Sequence, residues 1–349
     1  MALGDGMRRN IAKVDPEERR LLMRAIAELH TRYYPGSTTD TPPGGVSWWF
    51  KQDEVHQSTH VHDGPEFLPW HRELTNRFEQ LLRKINPQLS LHYWDFRDDP
   101  RNIPHGIVHG GATGHVNLFH ENFMGSSSGS AGDPWLAAKF YDPRAGTPGH
   151  PPSRDDTDKP FDLPPDIPRT RPLLHPGSAP VPCDKTNRSD KIGKHSNHAF
   201  PRMRKDLEEL HDSAHIYFAA FPPVSPHNAF RDPFVFLLHS NVDRIYAQWQ
   251  TDPHHPERLR APDVYGVEAD RDEQVEDLKG GIQIQNLTHL VEPWSTGIQI
   301  TENRPIRPWE PTHEHLGEPH NYHDPRVVTP PKYDTNQSAV NEVEEWTNL

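Results

Sequence analysis

Cysteine is almost missing from this chain: Cys183 is the only one among 349 residues. No intrachain disulfide can form, and a single thiol suits a reducing compartment. Long apolar runs are missing too. None approaches the roughly 18 residues a membrane span needs, so no membrane partner is expected. Positive charge is scarce: 37 Lys and Arg face 50 Asp and Glu, for a net charge of −13. That balance argues against binding the phosphate backbone of nucleic acid. The opening residues, Met1-Ala-Leu-Gly-Asp-Gly6, lack the charged-then-apolar pattern of a secretory signal. A cytoplasmic location is therefore expected, although export by a separate carrier protein leaves no trace in a sequence. Hydrophobic residues make up only 33% of the chain, whereas proline is abundant at 38 residues. A compact helical core wrapped by long, proline-stiffened loops fits that mixture.

Helical periodicity appears in separate blocks. Asp15-Pro16-Glu17-Glu18 reads as a helix start, with Asp15 as cap, Pro16 in the first turn and Glu18 completing a capping box. Leu21, Leu22, Ala25, Ile26 and Leu29 then predict a helix over 16–33. Further helices are predicted near 48–56, 70–86, 203–220 and 233–250, the last carrying Phe234, Leu237, Leu238, Val242, Ile245 and Trp249. Leu91 to Phe96 reads as a short extended piece, and Gly281–Ile284 and Gly297–Ile300 as weakly strand-like. Residues from about 98 to 200 show no sustained period. They hold a Gly-Ser run from Gly125 to Gly132 and twelve prolines between Pro143 and Pro182. Such a stretch signals functional loops or an insertion.

Histidine is what the chain has in excess, with 25 residues. Most lie singly in Gly/Pro-rich segments and read as solvated. Two groups do not. His211 and His215 are four apart on a predicted helix, so both rings leave one face. His239 on the next helix can join them, in the way helix bundles build metal sites between facing helices. Leu238, Phe236 and Ile216 are placed to form a dry shell around the rings. The other group is less regular. His62 lies on a loop and His71 on the first turn of a helix, with Gly64, Pro65 and Pro69 between them. Either His56 or His60 can supply a third nitrogen, and spacing alone does not choose. Two all-imidazole sites on adjacent helix pairs predict a dinuclear centre. Only Asp212 offers a carboxylate near ligand spacing, and it faces away from the axis shared by His211 and His215. Without carboxylate ligands, di-iron and di-manganese centres are disfavoured and copper fits best.

The flanking residues carry a resemblance. Phe67-Leu-Pro-Trp-His71-Arg72, with His62 nine residues upstream, resembles the first copper motif of tyrosinases and catechol oxidases. Asp232-Pro-Phe-Val-Phe-Leu-Leu-His239-Ser-Asn-Val-Asp243-Arg244, followed by Trp249-Gln250, resembles the second. Arg8-Arg9-Asn10 and Tyr93-Trp-Asp95 match as well. The likeness covers residues 8–100 and 200–250, and resembles bacterial, single-domain members.

It implies a mainly α fold, a four-helix bundle holding two copper ions, with O₂ as co-substrate and a small phenol as substrate. One catalytic domain would span 1–349, with a loop-rich insertion at about 98–200 and a loop-rich extension from about 251. Carried over by position, His62, His71, His211, His215 and His239 match copper ligands. The remaining ligand should end a helix, which selects His56. His60 stands where many eukaryotic members have a cysteine that crosslinks to a histidine, so that crosslink is excluded here.

Other departures bear on activity. Leu238 replaces the first of two adjacent histidines. Asp212 stands where phenol-hydroxylating members commonly have asparagine, and is the candidate base for the phenol proton. Pro226 stands where catechol oxidases often carry a bulky gate, with His227 and Ile216 beside the same entrance. The implied activity is ortho-hydroxylation of monophenols and oxidation of o-diphenols to o-quinones. Catechol-only oxidation, o-aminophenol oxidation and a type 3 copper oxygen carrier are the alternatives. The oligomeric state and any copper-delivery partner are not written in the sequence.

Overall fold

The computed structural model describes residues 3–29, 32, 48–49, 52, 56, 62, 67–119, 123–124, 191–194, 196–218, 230, 233–259 and 330–336, without the side chains at 69, 70, 73, 216 and 218. Four α-helices dominate them: α1 (Pro16–Leu29), α2 (Phe67–Ile85), α3 (Phe200–Phe218) and α4 (Phe234–Gln250). In α1, the Asp15 carboxylate accepts the Glu17 N–H at 2.8 Å, as a cap should. Glu18, expected to close a capping box, lies buried with its carboxylate 3.0 Å from Nε2 of the buried His92.

α2 starts at Phe67 rather than near Trp70. Pro69 does not prevent this, because the first-turn N–H groups of a helix have no intrahelical partner and a proline there forfeits nothing. The earlier start moves His71 into the second turn. Leu74, Phe78, Leu81 and Leu82 recur at helical spacing and are fully buried. α4 is buried at all 17 positions, so it is the central element rather than an amphipathic edge.

α2, α3 and α4 pack on one another, and α1 packs on α2. Phe78 of α2 stacks on Phe236 of α4 with ring centroids 3.6 Å apart. Trp49 meets both rings edge-on, at 5.9 and 5.7 Å. Trp48, Trp49, Gln52 and His56 have helical backbone where the 48–56 helix is predicted; the rest of that segment lies outside the described residues. Each large apolar side chain so enclosed contributes about 1.5–3 kcal/mol. No described helix is long and apolar enough to cross a membrane.

Two features were not legible in the sequence pattern. Inside the apparently irregular region, β1 (Ile103–Ile107) pairs antiparallel with β2 (Thr113–Val116). A Cβ on Gly106 would come within 2.3 Å of the Val116 side chain and 3.0 Å of the Ala12 carbonyl, so only glycine fits this approach. The second feature is the segment 330–336. Arg8 and Tyr333 form a parallel bridge, with the Arg8 N–H donating to the Lys332 carbonyl at 2.8 Å. The Tyr93 hydroxyl donates to Asp334 at 2.8 Å. The strand-like pieces predicted at 281–284 and 297–300 lie outside the described residues.

Candidate metal centre

Two histidine triads face each other at the centre of the helices. His56, His62 and His71 form one, and His211, His215 and His239 the other; within each, one ring nitrogen per residue lies within 4.8 Å of the others. In the first, ring centroids are 5.4 Å (His56–His62), 5.6 Å (His56–His71) and 5.1 Å (His62–His71) apart. In the second they are 4.4 Å (His211–His215), 4.9 Å (His211–His239) and 5.1 Å (His215–His239) apart. The two triads nearly touch. His71 stacks on His239 at 4.9 Å, and His62 lies 5.7 Å from His211.

Helix geometry explains the aim of the rings. His71 Nδ1 lies 2.7 Å from the Phe67 carbonyl, and His239 Nδ1 lies 3.1 Å from the Val235 carbonyl, one turn back in α2 and α4 respectively. Each Nδ1 therefore carries the proton and donates it, which leaves the Nε2 lone pair for a metal. His211 reaches the same state by another route, since its Nδ1 lies 3.0 Å from Oδ1 of Asp212. The Nε2 atoms of His211 and His239 converge to 3.1 Å. Nε2 of His56, Nδ1 of His62 and Nε2 of His71 are buried ring atoms that make no hydrogen bond. Such atoms, in an all-nitrogen donor set of neutral imidazoles, fit soft-to-borderline metals such as copper.

The environment keeps four of these rings neutral. Burial first, then the neighbouring imidazoles, hold His71, His211 and His239 well below the ordinary histidine range. His215 is partly accessible, yet desolvation still pushes it down to about 4. A charged imidazole cannot ligate, so these shifts favour metal binding over protonation.

Phe67 and Phe230 close the cluster. Phe67 lies 4.7 Å from His71 and 4.9 Å from His211; Phe230 lies 4.5 Å from His56 and 4.6 Å from His239. Phe230 escaped the sequence reading, because nothing in its spacing ties it to a histidine. Phe236 and Leu238, expected around the rings, are buried, with Phe236 in the stack on Phe78.

Among the expected site residues, the structure brings together His56, His62, His71, His211, His215 and His239. Asp212 is adjacent, with its side chain 57% exposed. His60, Pro226, His227 and the Ile216 side chain lie outside the described residues.

A buried polar network ties α2 and α4 together behind the rings. Arg72, next to His71, pairs with Asp243, one turn beyond His239. It also donates to the Gln250 side chain at 2.5 Å. Arg8 donates to Glu79 at 2.7 Å, to Asn76 at 2.9 Å and to Asp243 at 3.1 Å. The Tyr333 hydroxyl accepts from Arg8 at 3.0 Å and donates to Asp243 at 2.8 Å. Burial alone would lower the Arg8 pKa, but Glu79, Tyr333 and Asp243 reverse that and raise it. The motif resemblance took in Arg8, yet its partners at 79, 243 and 333 are too distant in the chain for any local pattern to show.

Comparison with known proteins points to one family. A family model described as the common central domain of tyrosinase matches residues 23–252. A tyrosinase-like protein of Caenorhabditis elegans is 47% identical over 51 residues, covering 15% of this chain and 7% of that protein. Grixazone synthase of Streptomyces griseus is 26% identical over 295 residues, covering 72% of this chain and 85% of that one. A tyrosinase of Streptomyces glaucescens is 25% identical over 260 residues, covering 70% and 82%.

Proposed function

This chain belongs to the tyrosinase family, whose members carry a dinuclear copper centre, and on that premise we propose that it oxidises phenolic substrates with O₂. Its substrates are monophenols, hydroxylated ortho to the hydroxyl, and o-diphenols, oxidised to o-quinones. The observation that carries this reading is the pair of facing all-histidine triads. His56, His62 and His71 would hold one copper ion, and His211, His215 and His239 the other. The same reading takes 1–349 as one catalytic domain, with the segment near 48–56 completing a four-helix bundle around the metals.

Bound copper supplies the electron exchange with O₂ that no side chain of this protein can supply. The overall reactions balance as one monophenol and one O₂ giving one o-quinone and one water, or two o-diphenols and one O₂ giving two o-quinones and two waters. The protein's own contribution is geometric and electrostatic. The Phe67 and Val235 carbonyls fix the tautomers of His71 and His239. Phe67 and Phe230 shut water out beside the rings. Asp212, exposed beside His211, is proposed as the base that takes the phenol proton. Pro226, His227 and Ile216 are proposed to line the substrate entrance.

The test is copper analysis followed by oxygen uptake with a panel of phenols, catechols and o-aminophenols. About two copper ions per chain, with quinone formed from both phenols and catechols, is the expected result. Zinc in place of copper, or binding without turnover, would reject the oxidase reading. Asp212→Asn should change the ratio of monophenol to diphenol turnover, and an unchanged ratio would remove the base role from Asp212.

A further inference from the structure

We propose that Asp212 is also the positioning residue of the second triad: its carboxylate holds the Nδ1–H of His211, locks that ring as an Nε2 ligand and strengthens the triad's hold on copper. This rests on the dicopper reading above.

Three rings of the cluster differ in what holds them. His71 and His239 each lean on a carbonyl one turn back in their own helix, at 2.7 and 3.1 Å. Those acceptors are neutral and are supplied by any helix. The Nδ1 of His211 lies 3.0 Å from a carboxylate oxygen on the next residue. The His211 side chain is buried whereas Asp212 is 57% exposed, so the anion reaches in from the rim to the outer edge of a dry ring.

Three consequences follow. A charge-assisted hydrogen bond is about twice as strong as a neutral one, so the ring is held more firmly in its donor tautomer. A carboxylate behind an imidazole also raises its basicity toward a metal. Finally, positive charge brought to Nε2 by a bound ion is offset from the opposite side of the ring.

Removing a carboxylate behind a metal-bound histidine lowers affinity about 10–100-fold, and the exposure of Asp212 places the expected loss at the low end, about tenfold. The experiment is a chelator competition on the copper-loaded full chain, reading copper per chain by mass spectrometry, with wild type, Asp212→Ala and Asp212→Asn. Wild type should retain about two ions up to the highest affinity. Asp212→Ala should release one of them at about tenfold lower chelator concentration and keep the other as wild type does. Asp212→Asn keeps an oxygen that can accept the same N–H and should fall between the two. Metal-free melting temperatures should agree across the three proteins, because an exposed side chain carries little folding energy.

An Asp212→Ala protein that holds both ions as tightly as wild type overturns the proposal. So does an equal weakening of both ions, which would indicate a general disturbance, or an Asp212→Asn protein no better than Asp212→Ala. A wild-type chain that never takes up two ions fails at the dicopper reading instead, before the variants are compared.

Discussion

His215 shows how much the site depends on keeping imidazoles uncharged. Although partly accessible, its pKa is pushed down to about 4, and His71, His211 and His239 are lowered as well. In the unfolded chain the same rings take a proton near the ordinary value of about 6.5. Between those values the unfolded chain binds more protons than the folded one, so stability rises with pH through that window. The copper-free protein should therefore melt at progressively lower temperature as pH falls from about 6.5 toward 4. A melting temperature that stays flat across that interval would show that these rings are not desolvated. His239→Ala should leave about one copper ion per chain and abolish quinone formation, because His239 stacks on a ligand of the opposite triad as well as serving its own. Retention of both ions by His239→Ala would remove it from the ligand set.

At the scale of elements, His71 and His239 stay aligned because α2 and α4 are tied by charge behind the rings. Arg72 and Asp243 are buried, and each sits beside or one turn from a ligand. Removing one partner of a buried pair strands the other, at a cost of about 3–5 kcal/mol. Asp243→Ala is thus expected to destabilise the fold by up to about that amount and to weaken copper binding at both triads, since Arg72 and Arg8 each lose a carboxylate partner, although Arg8 keeps Glu79. Chemical denaturation with parallel copper titration reads both effects; a loss below about 1 kcal/mol would mean the guanidinium groups find other partners.

The sequence made α1 to α4 legible because their apolar residues repeat at the helical period. It also placed five of the six histidines by spacing and flanking motif, and His56 by its position at a helix end. It did not show β1 and β2, whose strands are short and hold Pro104 and Gly106. Nor did it show Phe230 against the rings, or the acceptor of each ring N–H. Those depend on which helix turn faces which neighbour, and no local period records that.

Across the whole molecule, residues 330–336 are part of the core although they read as loop. The Tyr333 ring is fully buried and its hydroxyl joins Arg8 to Asp243. Tyr333→Phe keeps the ring and removes the hydroxyl, so two buried charged groups each lose a partner. The expected cost is about 1–3 kcal/mol, with a smaller effect on copper content than Asp243→Ala. An unchanged denaturation midpoint would reduce Tyr333 to a packing residue.

The bond between Arg8 and Tyr333 spans 325 positions of the chain. During synthesis Arg8, Glu79 and Asp243 leave the ribosome well before Tyr333 does. The hydrogen-bonded centre behind the triads therefore lacks its hydroxyl until residue 333 has emerged. Contacts of such long sequence separation form late and slowly. A ribosome stalled short of residue 330 would hold a chain with all six triad histidines made and the hydroxyl that joins Arg8 to Asp243 still missing.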